Sequence, residues 1–277
     1  MKMKKNPYDD LTKKVIDMLE TAETDWEKPW KAIPQSPKNP CTERMYRGIN
    51  QMFLTFGHDF SSPYWAGYKQ WKSIGGSVRK GEKGSTVVQY SPFTVQIPPE
   101  EGGGEKVIPY LRKMAPVFNS EQVENWSPEI NQITEEERHS YAENFFHKLE
   151  AKIQDGTTAC YIPSSDTIEM PPFSAFESGT DYYSTLFHEC IHWTGHSTRQ
   201  NRKSSYAFEE LVAELGSIFL LAELGIQAKP QPANAKYLAG WLKLLKDNPK
   251  SIILASKDAR KAAEYCISKA KGEDEKI

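Results

Sequence analysis

The chain has no run of about 18 apolar residues, the length a helix needs to cross a bilayer, and its basic start MKMKKNPYDD leads into no apolar stretch of the secretory kind. No membrane contact is expected, and the cytoplasm is the expected compartment. Cysteine is scarce too: Cys41, Cys160, Cys190 and Cys266 stand far apart and form no Cys-x-x-Cys pair. That pattern fits reduced thiols and argues against a disulfide framework or a zinc knuckle. The glycine-rich stretch 75–84 lacks the Gly-Lys-Ser/Thr ending of a phosphate-binding loop, which argues against a nucleotide hydrolase. Apolar surface, by contrast, is ample. With 38% hydrophobic residues, Trp 7, Tyr 13 and Phe 12 in 277 residues, the chain can build real cores, and its length suits two domains.

The net charge of −2 hides an asymmetry. Residues 1–120 carry 18 basic against 13 acidic side chains, and residues 121–277 carry 17 against 24. Within 26–90 the cations alternate with aromatic residues, a composition suited to unpaired nucleic-acid strands: rings stack on bases while lysine and arginine follow the phosphates. The competing reading is that these tryptophans form the core of a small domain. The candidate nucleic-acid-binding residues are Trp30, Arg44, Tyr46, Arg47, Asn50, Trp65, Lys69, Arg79, Lys80 and Lys83.

The spacing of Leu11, Val15, Met18 and Leu19 predicts an amphipathic helix over 9–20 that packs on the first domain. Prolines at 29, 34, 37, 40 and 63 favour irregular connections, with room for short helices over 50–56 and 64–74. The β-branched stretch 85–90 reads as a strand with a partner in 110–118, and the Pro- and Gly-rich 98–105 between them as a hairpin tip or flexible insertion. A boundary near 125 then divides the chain into domains 1–125 and 126–277. Beyond it the pattern predicts a helix over 135–152, strands at 160–163 and 166–170, and helices near 181–194, 205–224, 232–246 and 255–270. The expected class is α+β, a small N-terminal α/β domain followed by a mainly helical one with a short β-sheet. The strand 166–170 is also a candidate for pairing with an extended substrate by edge addition.

The chemistry concentrates in His188-Glu189-Cys190-Ile191-His192. Histidines at i and i+4 share a helix face and can both reach one cation, while Glu189 stands where a general base would take a proton from water. A second helix carries Glu210 and Glu214 on one face amid apolar residues, and buried carboxylates need partners. The reading is His188, His192 and Glu210 as zinc ligands, with Glu214 accepting the ring N–H of a ligating histidine; the spacing leaves the reverse assignment of the two glutamates open. His196 is the rival third ligand. It follows Gly195 by one residue and Thr198 stands where the metzincin pattern needs a histidine, so His196 is placed at the rim.

Trp26-Glu-Lys-Pro-Trp30, Tyr46-Arg-Gly-Ile-Asn50, the glycine-rich stretch 75–84, His188-Glu-Cys-Ile-His-Trp-Thr-Gly-His196 and Glu209-Glu-Leu-Val-Ala-Glu-Leu-Gly216 together resemble the ArdC-type antirestriction proteins of conjugative plasmids and mobile elements. The likeness spans nearly the whole chain; the insertion 98–105 departs from it. The resemblance implies an N-terminal single-stranded-DNA-binding domain, related to those of plasmid primases, joined to a C-terminal zincin-like metallopeptidase domain. It implies a role in protecting incoming DNA from host restriction. The expected partners are single-stranded DNA and an unknown protein substrate, such as a host restriction component. The alternative is a DNA-shielding protein whose metal site is structural or idle.

Overall fold

The computed structural model describes residues 12–13, 15–17, 20, 36–58, 60–90, 93–97, 103–108, 111–128, 135–226 and 235–272. In the N-terminal half, helix α1 (Ile49–Phe56) is followed by β1 (Trp65–Gly67), α2 (Tyr68–Ser73), β2 (Ser77–Val78) and β3 (Val88–Tyr90). Then come β4 (Phe93–Gln96), β5 (Glu105–Ile108), β6 (Leu111–Lys113), β7 (Val117–Asn119) and β8 (Val123–Glu124). The strand pairs described here are antiparallel, β1 with β7, β2 with β8, β3 with β6 and β4 with β5, and an isolated parallel bridge joins Lys38 to Tyr64.

The strand expected over 85–90 is present, bridged at Ser85 to Val117 and paired through β3 with β6. Around the insertion expected at 98–105, β4 and β5 pair and Ile97 N donates to Gly104 O at 2.8 Å; residues 98–102 lie outside the described residues. The segment 64–74 divides into strand and helix because Trp65 and Ala66 turn inward against β7, leaving only Tyr68–Ser73 to coil. Trp65 joins Leu54, Val87 and Val117 in one small apolar cluster, and Trp71 joins Ala66 and Val123 in another. The Trp71 indole N–H donates to Phe118 O at 2.9 Å, so its polar atom is satisfied inside the fold.

The C-terminal half opens with α3 (Glu135–Leu149), then β9 (Lys152–Asp155), β10 (Cys160–Ile162) and β11 (Thr167–Met170). Helices α4 (Gly179–Thr194), α5 (Tyr206–Glu223), α6 (Ala235–Asp247) and α7 (Ser251–Lys271) complete it. The sheet order is β10-β11-β9, with β11 antiparallel to β10 and parallel to β9. This corrects the edge-addition expectation for 166–170: β11 is central, flanked on both sides, and β10 is an edge. Strand β9 escaped the sequence because Lys152–Asp155 is short, exposed at all four positions and without apolar alternation.

The main apolar core lies where α5 crosses α4 and α7. Leu186, Phe187, Cys190 and Ile191 meet Leu211, Val212, Leu215 and Phe219, while the small Ala255, Ala259, Ala262 and Ala263 let α7 come close. The same cluster takes in Val15, Ile49, Met52, Phe53 and Val88 from the N-terminal half. The helix expected over 9–20 to pack on the first domain thus meets the C-terminal helices. Its described residues are helical, Val15 joins this core and Thr12 Oγ1 donates to Pro249 O; Leu11, Met18 and Leu19 lie outside the described residues. The contact between halves is reinforced by Arg47 Nη1, 3.4 Å from Glu264 Oε1. Among the described residues, no helix is long and apolar enough to cross a membrane.

Candidate metal centre

Helix α4 begins at an N-cap, Ser178, whose hydroxyl oxygen accepts from Asp181 N at 3.2 Å, and stops at Gly195. Its last turns carry His188 and His192 on one face, with their Nε2 atoms 3.2 Å apart. From α5 the Glu210 carboxylate stands opposite both: Oε2 is 3.5 Å from His188 Nε2 and Oε1 is 3.6 Å from His192 Nε2. Among the described residues these three form one group whose ligand atoms converge closely enough to hold a metal ion. A tetrahedral ion bound at about 2.0–2.1 Å separates its donors by roughly 3.4 Å, close to the spacing of the two imidazole nitrogens, while Glu210 turns a different oxygen to each histidine.

Gly216 explains how α5 gets so near. A methyl group there would lie 2.9 Å from three side-chain atoms of Ile191, so only a glycine lets the helices touch at this level. The outward nitrogens of both imidazoles also meet carboxylates. His188 Nδ1 lies 3.4 Å from Glu214 Oε2, a charge contact rather than an aligned hydrogen bond, and His192 Nδ1 lies 3.6 Å from Glu209 Oε1. Burial disfavours charge on all four groups, but mutual pairing outweighs it. His188 and His192 are raised above their ordinary values by these glutamates, and Glu209 and Glu210 are held well below theirs by the imidazoles, with Arg202 adding to the effect on Glu209.

Glu189 is buried and its Oε2 accepts from Tyr161 N at 2.8 Å, so the edge strand β10 fixes the carboxylate beside the histidines. Tyr161 is itself anchored: its hydroxyl donates to Asp166 Oδ1 at 2.8 Å, and Asp166 pairs with Arg199, which stacks 4.0 Å over Trp193. An open cleft of about 970 Å³ runs past these groups, lined among others by Tyr161, Glu189, His196, Arg202, Tyr206 and Trp241. His196 lines the rim with Nδ1 2.8 Å from Thr198 Oγ1 and does not enter the three-residue group.

His188, Glu189, His192, Glu210 and Glu214 thus come together in one cleft. Glu209, Arg202 and the Tyr161 N–H belong to the same cleft and were not read from the sequence. Glu209 was visible as the neighbour of Glu210, but only the turn of α5 shows that it faces His192.

The candidate nucleic-acid residues are placed less uniformly. Arg44, Arg47, Lys69, Arg79, Lys80 and Lys83 are exposed. Trp65 is 0% exposed and offers no face to a base, which corrects its reading as a stacking residue. Tyr46 donates its hydroxyl to Trp65 O at 3.1 Å. Asn50 brackets Val88, donating to its carbonyl at 2.7 Å and accepting from its N–H at 2.8 Å, so both side chains build the fold. Arg79 is held by Glu82 and by Glu121 O at 2.6 Å. Trp30 lies outside the described residues.

Residues 140–258 match the model of a zincin-like metallopeptidase, and residues 5–119 match the N-terminal domain of the anti-restriction factor ArdC. Two DNA primases TraC of Escherichia coli are each 34% identical over 97% and 96% of this chain, which spans only 20% and 27% of their lengths. The uncharacterized protein y4eC of Sinorhizobium fredii is 30% identical, with 93% of this chain and 90% of that protein covered. The crystal structure of the antirestriction ArdC protein from plasmid R388 in its metal-free form superposes with a TM-score of 0.77 at 36% identity, covering 97% of this chain and 99% of that one. Its Mn(II)-bound form gives 0.73, also at 36% identity. With the same mixed α+β fold, a matching domain in each half and a histidine–glutamate cluster able to hold a metal ion, the chain belongs to the ArdC antirestriction family.

Proposed function

We propose that this protein binds single-stranded DNA through its N-terminal domain, residues 1–125, and that residues 126–277 form a zinc-dependent metallopeptidase acting on a protein that threatens the incoming strand, such as a host restriction component. It acts in the cytoplasm, where its four free cysteines stay reduced. The observation that carries the peptidase reading is the convergence of His188, His192 and Glu210 at 3.2–3.6 Å beside a buried glutamate.

Under this reading His188, His192 and Glu210 would hold the ion, and Glu214 would brace His188 from behind. Zinc held there supplies a Lewis acid for a carbonyl oxygen and for water. The Tyr161 N–H holds the Glu189 carboxylate in place, and that carboxylate takes the proton from water and returns it to the leaving amine. Donor type admits several divalent ions, and the similar ArdC structure is known with Mn(II); the zinc reading rests on the match to a zincin-like metallopeptidase. The DNA reading rests on the exposed cations Arg44, Lys69, Lys80 and Lys83 and on the family match of residues 5–119.

The test pairs two measurements on Glu189→Gln: cleavage of an unstructured protein substrate and protection of incoming DNA in cells. We expect cleavage to fall about 10²–10⁴-fold, the range of a lost general base, with metal content unchanged and protection lost in parallel. If protection survives the substitution while neutralising the exposed lysines abolishes it, the protein shields DNA and the metal site is idle.

A further inference from the structure

We infer that Glu209, clamped by Arg202, is the positioning residue that sets the pose of His192 at the metal. This rests on the reading of His188, His192 and Glu210 as a metal centre. The two histidines are treated alike by α5. His188 has Glu210 at its inner nitrogen and Glu214 at its outer one; His192 has Glu210 at its inner nitrogen and Glu209 at its outer one. A carboxylate facing the outer nitrogen, here at 3.4 and 3.6 Å, favours the proton on that side by its charge, so that the inner nitrogen presents its lone pair to a cation.

Glu209 is not free to wander. Arg202 Nη2 donates to its Oε1 at 2.7 Å, Arg202 Nε reaches both carboxylate oxygens at 3.2 and 3.3 Å, and Ser204 Oγ donates to Oε2 at 3.1 Å. The guanidinium also donates to Ile191 O and to Thr194 Oγ1, both at 2.6 Å, and to Gln200 Oε1 at 2.8 Å. One planar group therefore ties the last turn of the histidine helix to the first turn of the glutamate helix. Its side chain is only 8% exposed, so its charge is held by these partners and hardly by water. Gly195 makes the space: a methyl there would stand 2.9 Å from Arg202 Nη2. The bonds to Ile191 and Thr194 reach the histidine helix alone, and the bridge to the glutamate helix runs through Glu209. That the bridging carboxylate also faces His192 Nδ1 is what points to metal positioning.

The experiment compares the full-length wild type with Glu209→Gln and Arg202→Lys. Zinc affinity is measured by chelator competition, the cobalt(II) visible spectrum reports ligand geometry, and melting of the metal-free proteins monitors the fold. Glu209→Gln keeps the shape but loses the charge that holds both Arg202 and the imidazole; zinc should bind about 10-fold to 100-fold more weakly, with an altered cobalt spectrum. Arg202→Lys should shift both readouts in the same direction by less. Wild-type zinc affinity and an unchanged cobalt spectrum in both variants would overturn the positioning role, leaving the metal centre itself standing. If the wild type takes up neither zinc nor cobalt, the metal-centre reading fails and this inference fails with it.

Discussion

In the C-terminal half the charged side chains converge, whereas in the N-terminal half they disperse. Around α4 and α5, two imidazoles and three carboxylates face one another in a partly enclosed cleft. Around β1–β8 Lys69, Lys80 and Lys83 stand exposed on the surface and Arg79 pairs with Glu82, while the tryptophans Trp65 and Trp71 fill small cores. Converging groups define a chemical site by mutual distance alone. Dispersed cations define only a surface, whose ligand must supply the organisation. Under the proposed function, one half would serve as a reaction centre and the other as an electrostatic platform for a flexible polyanion.

Replacing the core of the platform should produce the largest effect of the substitutions that probe this contrast. Trp65→Ala is expected to cost about 3–5 kcal/mol of stability, read by urea unfolding, because a wholly buried indole leaves a cavity. Any loss of oligonucleotide binding should follow unfolding; a folded Trp65→Ala protein that no longer binds would return this residue to the DNA surface.

An intermediate effect is expected from pH in the chelator-treated protein. His188 and His192 are raised from 6.5 by their glutamates despite burial, so their contribution is complete below 6.5 and is lost as pH rises through the raised values. Glu209 and Glu210 are lowered from 4.5, so theirs is complete above 4.5 and is lost as pH falls through the lowered values. Melting temperature should therefore peak between about pH 4.5 and 6.5 and fall on either side. A curve that climbs steadily from pH 6 to 9 would mean that these groups do not face one another in solution.

The smallest effect belongs to single surface cations. Lys80→Ala should leave the fold intact and reduce the slope of log affinity against log salt for a single-stranded oligonucleotide by about 0.7, the share of one phosphate contact. An unchanged slope would move the DNA path away from the glycine-rich turn.

The contrast also explains what the sequence made legible. Helical spacing alone brings His188 and His192 together, and the apolar setting of Glu210 and Glu214 requires partners for them, so the central cluster could be read without coordinates. Aromatic composition around Trp65, Tyr46 and Asn50 carried no such geometry, because an indole on a short strand can face in or out and only the register Trp65↔Asn119 decides. The helices α3, α4, α5 and α7 were near their expected spans since their apolar periodicity is long. By contrast, β9 and the central position of β11 depend on non-local pairing between residues such as Thr167 and Lys152. The Arg202–Glu209 clamp was hidden for the same reason: an arginine in a loop acquires its role only when two helix ends meet around it.

The most direct measurement is metal stoichiometry by elemental analysis of the purified protein and of His188→Ala and Glu210→Ala, after equilibration with zinc and removal of excess. The account predicts one ion per chain in the wild type and a loss of at least about 100-fold in affinity in each variant, since each removes one of three ligands. Retention of the wild-type stoichiometry and affinity by either variant would contradict it.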